Sequence, residues 1–371
     1  LTSVIGKMLE GTVKEAIVFH LEKNKLINPS QHGFTKGRSC LTNLLIFFEE
    51  VTKELDEGND VDLIYLDFAK AFDKVPHQRL FRKVEAHGIG GSVLKWMKHW
   101  LENRRQRVCI DGMESQWNFV ISGVPQGSVL GPILFLIYIN DLDKNLVSSI
   151  KKFADDTKLC KSISSFKDVE SLKQDLNILT KWSEDWQMQF NTEKCKVMQL
   201  GKESFNKQYK LCNSTLQMSD KETDLGVIVR NNLKYSAQTN EAARKANFVL
   251  GQINRTIKHK SKDVIIRLYR PKALVRPKLK YCVQAWNPYL KKDKDKFKKV
   301  QHRATKMIHE LRNKSYVDRL AETQLTTLEQ KRIRGDLIET FKMIKGLNNV
   351  NYRDFFTIVS KNKTRRHSLK L

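Results

Sequence analysis

The sequence predicts an α+β body followed by a purely helical, strongly basic region. Three observations carry this reading. Up to about residue 235, helical and strand-like patterns alternate without the βαβ rhythm of a parallel sheet. From about residue 236 only helical periodicity remains, and the charge changes at the same place. Of the 371 residues, 1–229 hold 31 Lys and Arg against 30 Asp and Glu, whereas 230–371 hold 36 against 11, so the second stretch carries +25 of the net +26.

The elements are read in order. Val4, Ile5, Met8, Leu9, Val13, Ile17 and Leu21 recur near helical spacing behind Ser3, a natural N-cap, and predict an amphipathic helix over 3–23. Further helices are expected at 39–55, 79–86 and 92–101. Val61 to Leu66 is a short β-prone run, and strands are expected at 61–67, 105–110, 116–121, 149–153 and 157–161. Apolar Val129 to Ile139 predicts a buried helix after a Gly- and Pro-rich turn. A long helix with Trp182 and Trp186 is expected over 166–189, then strands at 195–200 and 223–229. Helices at 236–258, 262–275, 293–311 and 328–346 complete the chain, with a loosely ordered tail at 361–371.

A neutral body joined to a basic region suggests attraction to a polyanion, most economically a nucleic-acid backbone. Cys40, Cys109, Cys160, Cys195, Cys212 and Cys282 form no C-x-x-C pair, so neither a zinc site nor a disulfide framework is indicated, and free thiols in a reducing compartment fit best. No apolar run approaches the ~20 residues of a membrane span. The chain starts Leu1-Thr2-Ser3 without Met and reads as an excised fragment.

Two acidic sets stand at the ends of apolar stretches. Asp67 follows the strand-like run 61–66, and Asp155 with Asp156 sits between two short β-prone runs, as at the turn of a hairpin. Hard oxygen ligands brought together from separate rigid elements are what a two-metal phosphoryl-transfer site requires. Asp-Asp is also a common turn pair, so the context decides.

That context is an ordered set of motifs. Gln31-His32-Gly33-Phe34-Thr35-Lys36-Gly37-Arg38-Ser39, Leu66-Asp67-Phe68-Ala69-Lys70-Ala71-Phe72-Asp73, Ser122-Gly123-Val124-Pro125-Gln126-Gly127-Ser128-Val129-Leu130-Gly131-Pro132 and Phe153-Ala154-Asp155-Asp156 follow one another. Together they resemble the reverse transcriptase domain of non-LTR, LINE-type retrotransposons, jockey-like and chicken-repeat-like elements among them. The resemblance implies a right-hand polymerase with fingers, palm and thumb, an antiparallel palm sheet and a helical thumb. It places part of the fingers at 1–60, the palm with inserted fingers elements and a primer-grip region at 61–235, and the basic thumb with a C-terminal extension at 236–371. The implied activity is RNA-directed DNA synthesis on a DNA primer by two-metal nucleotidyl transfer.

By the same resemblance, Asp67 and Asp155 hold two magnesium ions, with manganese able to substitute, Asp156 supports them, and the Phe68 carbonyl completes one metal shell. Phe72 matches the bulky gate beneath the deoxyribose, although a core aromatic is its plain alternative. Gln126 and Gly127 match the loop against the incoming dNTP and template base, and Arg38 and Lys36 match fingers positions at the triphosphate or template. Asn191-Thr192-Glu193-Lys194 matches the motif whose lysine lies near departing pyrophosphate, so Lys194 is a candidate general acid. Asp224 to Ile228 resembles the primer-grip hairpin, and Asp73 is left out of the metal set.

Template and primer phosphates are expected on Lys291 to Lys299 and Arg365-Arg366-His367, and Trp286 and Tyr289 could stack on bases, though core packing is the commoner fate of such rings. The partners implied are an RNA template, a DNA primer and dNTP, with no membrane and no zinc, inside the nucleus or cytoplasm within a retrotransposon ribonucleoprotein. The endonuclease that such elements carry upstream is not in this sequence. Two alternatives remain: an inactive or co-opted nucleic-acid-binding descendant, and a group II intron maturase-like reverse transcriptase. A viral RNA polymerase is disfavoured by the aromatic at position 72.

Overall fold

A computed structural model describes residues 3–202, 207–270 and 274–357. They divide into two compact units, one of residues up to 39 together with 51–219, the other of 40–50 together with 220 onward. The hairpin Lys221–Asp224/Val227–Arg230 groups with the second unit, as does the first part of helix Cys40–Asp56.

The first unit is built on a five-stranded sheet whose central strand is Asp60–Leu66. One neighbour is Asp156–Ile163, antiparallel, which is hairpinned to Ser149–Phe153; the other is Lys196–Leu200, antiparallel, with Gln217–Met218 parallel beyond it. Buried on both faces, the central strand reads as a nearly continuous apolar run. Its exceptions are Asp60 at the start and Asp62, the latter fully buried, whose two oxygens each accept from Lys207 Nζ at 2.9 Å while the Tyr209 hydroxyl also donates to it.

Helix Phe166–Trp186 packs its Leu172, Leu176 and Leu179 stripe into the core and begins with a Ser165/Asp168 capping box. Gly131–Tyr138 is buried all round, as its unbroken apolar sequence requires, and Pro132 opens it. The first helix, Val4–Lys23, departs from expectation. Val4, Ile5, Met8 and Leu9 are exposed, whereas Glu10 is buried and accepts from the Val129 N–H at 2.6 Å and from Trp100 Nε1 at 3.2 Å.

The strands expected at 105–110 and 116–121 are shorter than read. Arg105–Gln106 pairs with Asn118–Phe119, and Cys109–Ile110 with Met113–Glu114, in a ribbon exposed from residue 105 to 119.

In the second unit, Ser236–Thr256, Lys262–Tyr269, Lys291–Lys306 and Leu328–Ile344 are the main helices, with a shorter one at Tyr316–Thr323. Trp286 is fully buried, donates to the Tyr281 carbonyl at 2.9 Å and meets Phe297 edge-on, so of its two readings the core one holds and base stacking does not. Tyr289 is exposed. Arg365, Arg366, His367 and the tail lie outside the described residues.

Candidate active site

Sheet register delivers the two leading carboxylates to one place. Leu66 pairs with Thr157 and Phe153 with Asp156, so Asp67 leaves the central strand at the end where the Ala154-Asp155 turn closes the hairpin. Burial pushes the Asp155 carboxyl above its ordinary pKa, its own backbone hydrogen bond offsets part of this, and the Asp67 charge raises it further.

The segment 189–195 holds this end in place. Asn191 N–H donates to the Asp67 carbonyl and Ala69 N–H to the Gln189 carbonyl, both at 2.8 Å, and Phe68 stacks on Phe190 with centroids 4.6 Å apart. This pairing leaves the Phe68 carbonyl out of both bonds. The Asn191 turn then carries Lys194 to the carboxylate, with Nζ 3.8 Å from Asp67 Oδ1. Cys195 Sγ accepts from the Asp67 N–H at 3.4 Å, and burial pushes this thiol up to about 11, so it stays protonated at neutral pH.

The hairpin turn is clamped from the other side. Ala154 has φ +56, a left-handed backbone that L-residues rarely adopt. Gln31 Oε1 accepts from the Ala154 N–H at 2.9 Å and from the Gly33 N–H at 2.7 Å. Gly33 lies so close that a Cβ there would come within 2.4 Å of the Ala154 nitrogen. His32, buried beside them, is held down to about 3 by burial and by Arg38, Lys151 and Lys158, so it is neutral.

Phe72 lies half-buried in the short turn Ala71–Asp73 and stacks on Phe135 at 4.4 Å and 21°. Its carbonyl accepts from Val124 N–H at 2.7 Å, and Gln126 Nε2 donates to Asp73 Oδ1 at 2.9 Å, so the Pro-Gln-Gly loop is tied to the segment after Asp67. Gly123, at φ +90, could not carry a side chain, because a Cβ would meet the Asp73 carbonyl at 2.6 Å. Gly127 has open space around it, and its φ of +80 is what asks for glycine there.

Not every expected residue joins this cluster. Arg38 turns its guanidinium onto the carbonyls of Pro29 and Gln31, the latter at 2.9 Å, while Lys36 is exposed. Asp156 is exposed, and among the described residues no three acidic, His or Cys side chains come close enough to share a metal ion. Asp67 and Asp155 are the carboxylates that feel one another. Hard oxygens whose joint ionisation is disfavoured suit a divalent cation.

A family model described as reverse transcriptase (RNA-dependent DNA polymerase) matches residues 1–237. The chain belongs to this family. As a reverse transcriptase family member it has the right-hand polymerase fold, and polymerases of the family work with divalent metals. It is 27% identical over 304 residues to the RNA-directed DNA polymerase from mobile element jockey of Drosophila funebris, covering 76% of this chain and 32% of that protein. To the probable RNA-directed DNA polymerase from transposon X-element of Drosophila melanogaster it is 29% identical, over 51% of this chain and 22% of that protein. The chain thus spans about a third or less of these curated relatives. A solved telomerase of Candida tropicalis with a TWJ fragment of telomeric RNA aligns over 89% of this chain and 50% of its own, at 12% identity and TM-score 0.49.

Sequence reading missed Gln31, Gly33 and Cys195 as supports of the two aspartates. The first two stand inside a motif already singled out for its cations, and their amide and absent side chain drew no attention beside them.

Proposed function

We propose that this reverse transcriptase family chain is a LINE-type RNA-directed DNA polymerase that adds deoxynucleotides to a DNA primer 3′-hydroxyl on an RNA template. The observation that carries the reading is the meeting of Asp67 and Asp155, 88 positions apart in sequence, at one end of one sheet. In this reading residues 1–60 contribute fingers, 61–235 the palm and 236–371 the thumb.

Two magnesium ions, when bound, would lower the pKa of the primer hydroxyl and neutralise charge on the α-phosphate and pyrophosphate. Asp67 and Asp155 supply the ligands, with Asp156 and the Phe68 carbonyl beside them. Phe72, backed by Phe135, is a rigid floor for a deoxyribose. Gln126 and Gly127 line the approach of the base and sugar, and Lys194 is placed to give a proton or positive charge to the leaving group. Arg38 shapes the 29–31 turn that clamps Asp155, and the exposed Lys36 meets phosphate. The basic second unit supplies sequence-independent contact with template–primer phosphates, including Lys291 and Lys292.

Primer extension on a homopolymer RNA template with dNTPs and magnesium tests this. The chain should extend the primer, Asp155→Asn should not, and Lys194→Leu should slow single-turnover addition. If neither the parent chain nor Asp155→Asn extends while both still bind duplex, the protein is a polymerase-derived binding module instead.

A further inference from the structure

The ribbon over residues 104–121 has no task in the chemistry above. Every residue from 105 to 119 is exposed, yet Val108, Ile110, Met113, Trp117, Phe119 and Ile121 are all large and apolar. Asp111 and Gly112, with φ of +49 and +83, form the tip, the Asp-Gly pattern of a tight hairpin. A two-stranded ribbon of this kind is marginal in water, and exposed apolar surface of this extent marks an interaction site.

Its side chains are organised. Arg105 stands opposite Phe119, with its guanidinium 4.6 Å from the ring centroid, and Arg107 lies 4.5 Å from the ring of Trp117. Two residues apart on each strand, these pairs form a two-rung ladder on one face. Register then slips by one, since Gln106 faces Asn118 but Cys109 faces Glu114, and this bulge sets the ladder off from the tip. The ring surfaces remain available, with Trp117 55% and Phe119 59% exposed.

At its base the ribbon walls a cavity of about 620 Å³ that also reaches Lys70, Asp73 and Gln126. Lys70, Arg104 and Arg105 line it against a single carboxylate, Asp73, whose Oδ1 is held by Gln126. Positive charge in a concavity, continuous with rings that carry guanidinium groups, is complementary to a strand with phosphates on one side and unstacked bases on the other.

We propose that the 104–121 ribbon is a docking site for single-stranded nucleic acid, in which Trp117 and Phe119 stack on unpaired bases while Arg104, Arg105 and Lys70 meet the phosphates. The site extends the polymerase reading and rests on it. RNA and DNA strands share this chemistry, and the test separates them.

The test uses fluorescence anisotropy of labelled single strands of about 12 nucleotides, one RNA and one DNA, beside a blunt RNA–DNA duplex, with the full chain and no dNTP or metal. Trp117→Ala with Phe119→Ala should weaken binding of the preferred single strand by roughly tenfold or more, leaving the blunt duplex within about twofold. The strand that suffers the larger loss identifies the natural ligand class. Arg105→Gln with Arg107→Gln should flatten the salt dependence of single-strand binding. Unchanged single-strand affinity in a variant with the parent's thermal melting, or an equal loss on duplex, overturns the site. So does a parent dimer that the aromatic variant turns into a monomer in sedimentation, which would assign the ribbon to a second copy of the chain. A chain that extends primers while its ribbon variants bind strands like the parent refutes the ribbon alone, whereas selective loss in a chain that never extends refutes the polymerase reading.

Discussion

Gln31 Oε1 accepts the backbone N–H of Ala154, the residue immediately before Asp155, at 2.9 Å. A buried amide in an early loop thus holds the turn that presents a carboxylate more than a hundred residues later. With its second bond to Gly33 N–H, Gln31 satisfies two donors that no water would reach in this buried corner. Gln31→Ala is expected to cost about 1–3 kcal/mol in urea denaturation and to lower the primer-extension rate at saturating magnesium. Gly33→Ala should displace the turn and lose more activity than stability. Unchanged extension by both variants would show that Asp155 needs no such clamp.

Asp155 gives a pH prediction. Its pKa is raised on folding, chiefly by burial and further by Asp67. Between its unfolded and folded pKa the native state binds more protons than the unfolded one, so stability falls as pH rises through that window and the ionised form is a net cost at neutral pH. Asp155→Asn is therefore expected to be more stable than the parent at pH 7 while losing extension. In the metal-free protein Asp67→Asn should move Asp155 back down, read by carboxylate NMR titration. A destabilised Asp155→Asn protein would contradict the argument.

Phe72 serves as both a packed ring and an exposed surface. Its stack on Phe135 should make Phe72→Ala cost about 1–3 kcal/mol, less than a fully buried ring would. The same substitution should raise ribonucleotide incorporation relative to deoxyribonucleotide, measured by competition in primer extension. Retained sugar discrimination in a folded variant would leave Phe72 as packing alone.

Asp62 on the central strand forms a buried ion pair with Lys207. Asp62→Ala should cost about 3–5 kcal/mol, because it strands the lysine charge, whereas Asp62→Leu with Lys207→Met should recover most of that loss. Chemical denaturation of the three proteins checks the order; equal stability of single and double variants would mean the pair is not coupled.

The central strand, the 149–163 hairpin and the long helices were legible because each carries its own period or an unbroken apolar run, as 61–66 and 129–139 do. The aspartate pair was legible because motif order supplied context that Asp-Asp alone lacks. What escaped depended on partners distant in the chain. Nothing around Glu10 announces that it will cap Val129, and nothing local in Gln31 points to Ala154. Trp286 stood open between stacking and core in the sequence, and the Phe297 ring and Tyr281 carbonyl that enclose it decide for core. The exposed ribbon was read as two ordinary strands because alternation does not reveal whether any other layer covers them.

Residues 40–50 belong with 220 onward, and there Leu44, Phe47 and Phe48 are buried, Phe48 edge-on to Tyr235. On a translating ribosome this apolar helical segment emerges long before the chain that encloses it. At about 5–20 residues per second the wait is on the order of ten to thirty seconds. During that interval the nascent protein displays a greasy helix face with no native cover, so its yield in a cell should depend on chaperones that bind early, and a fragment stopped before residue 220 would keep that face bare permanently.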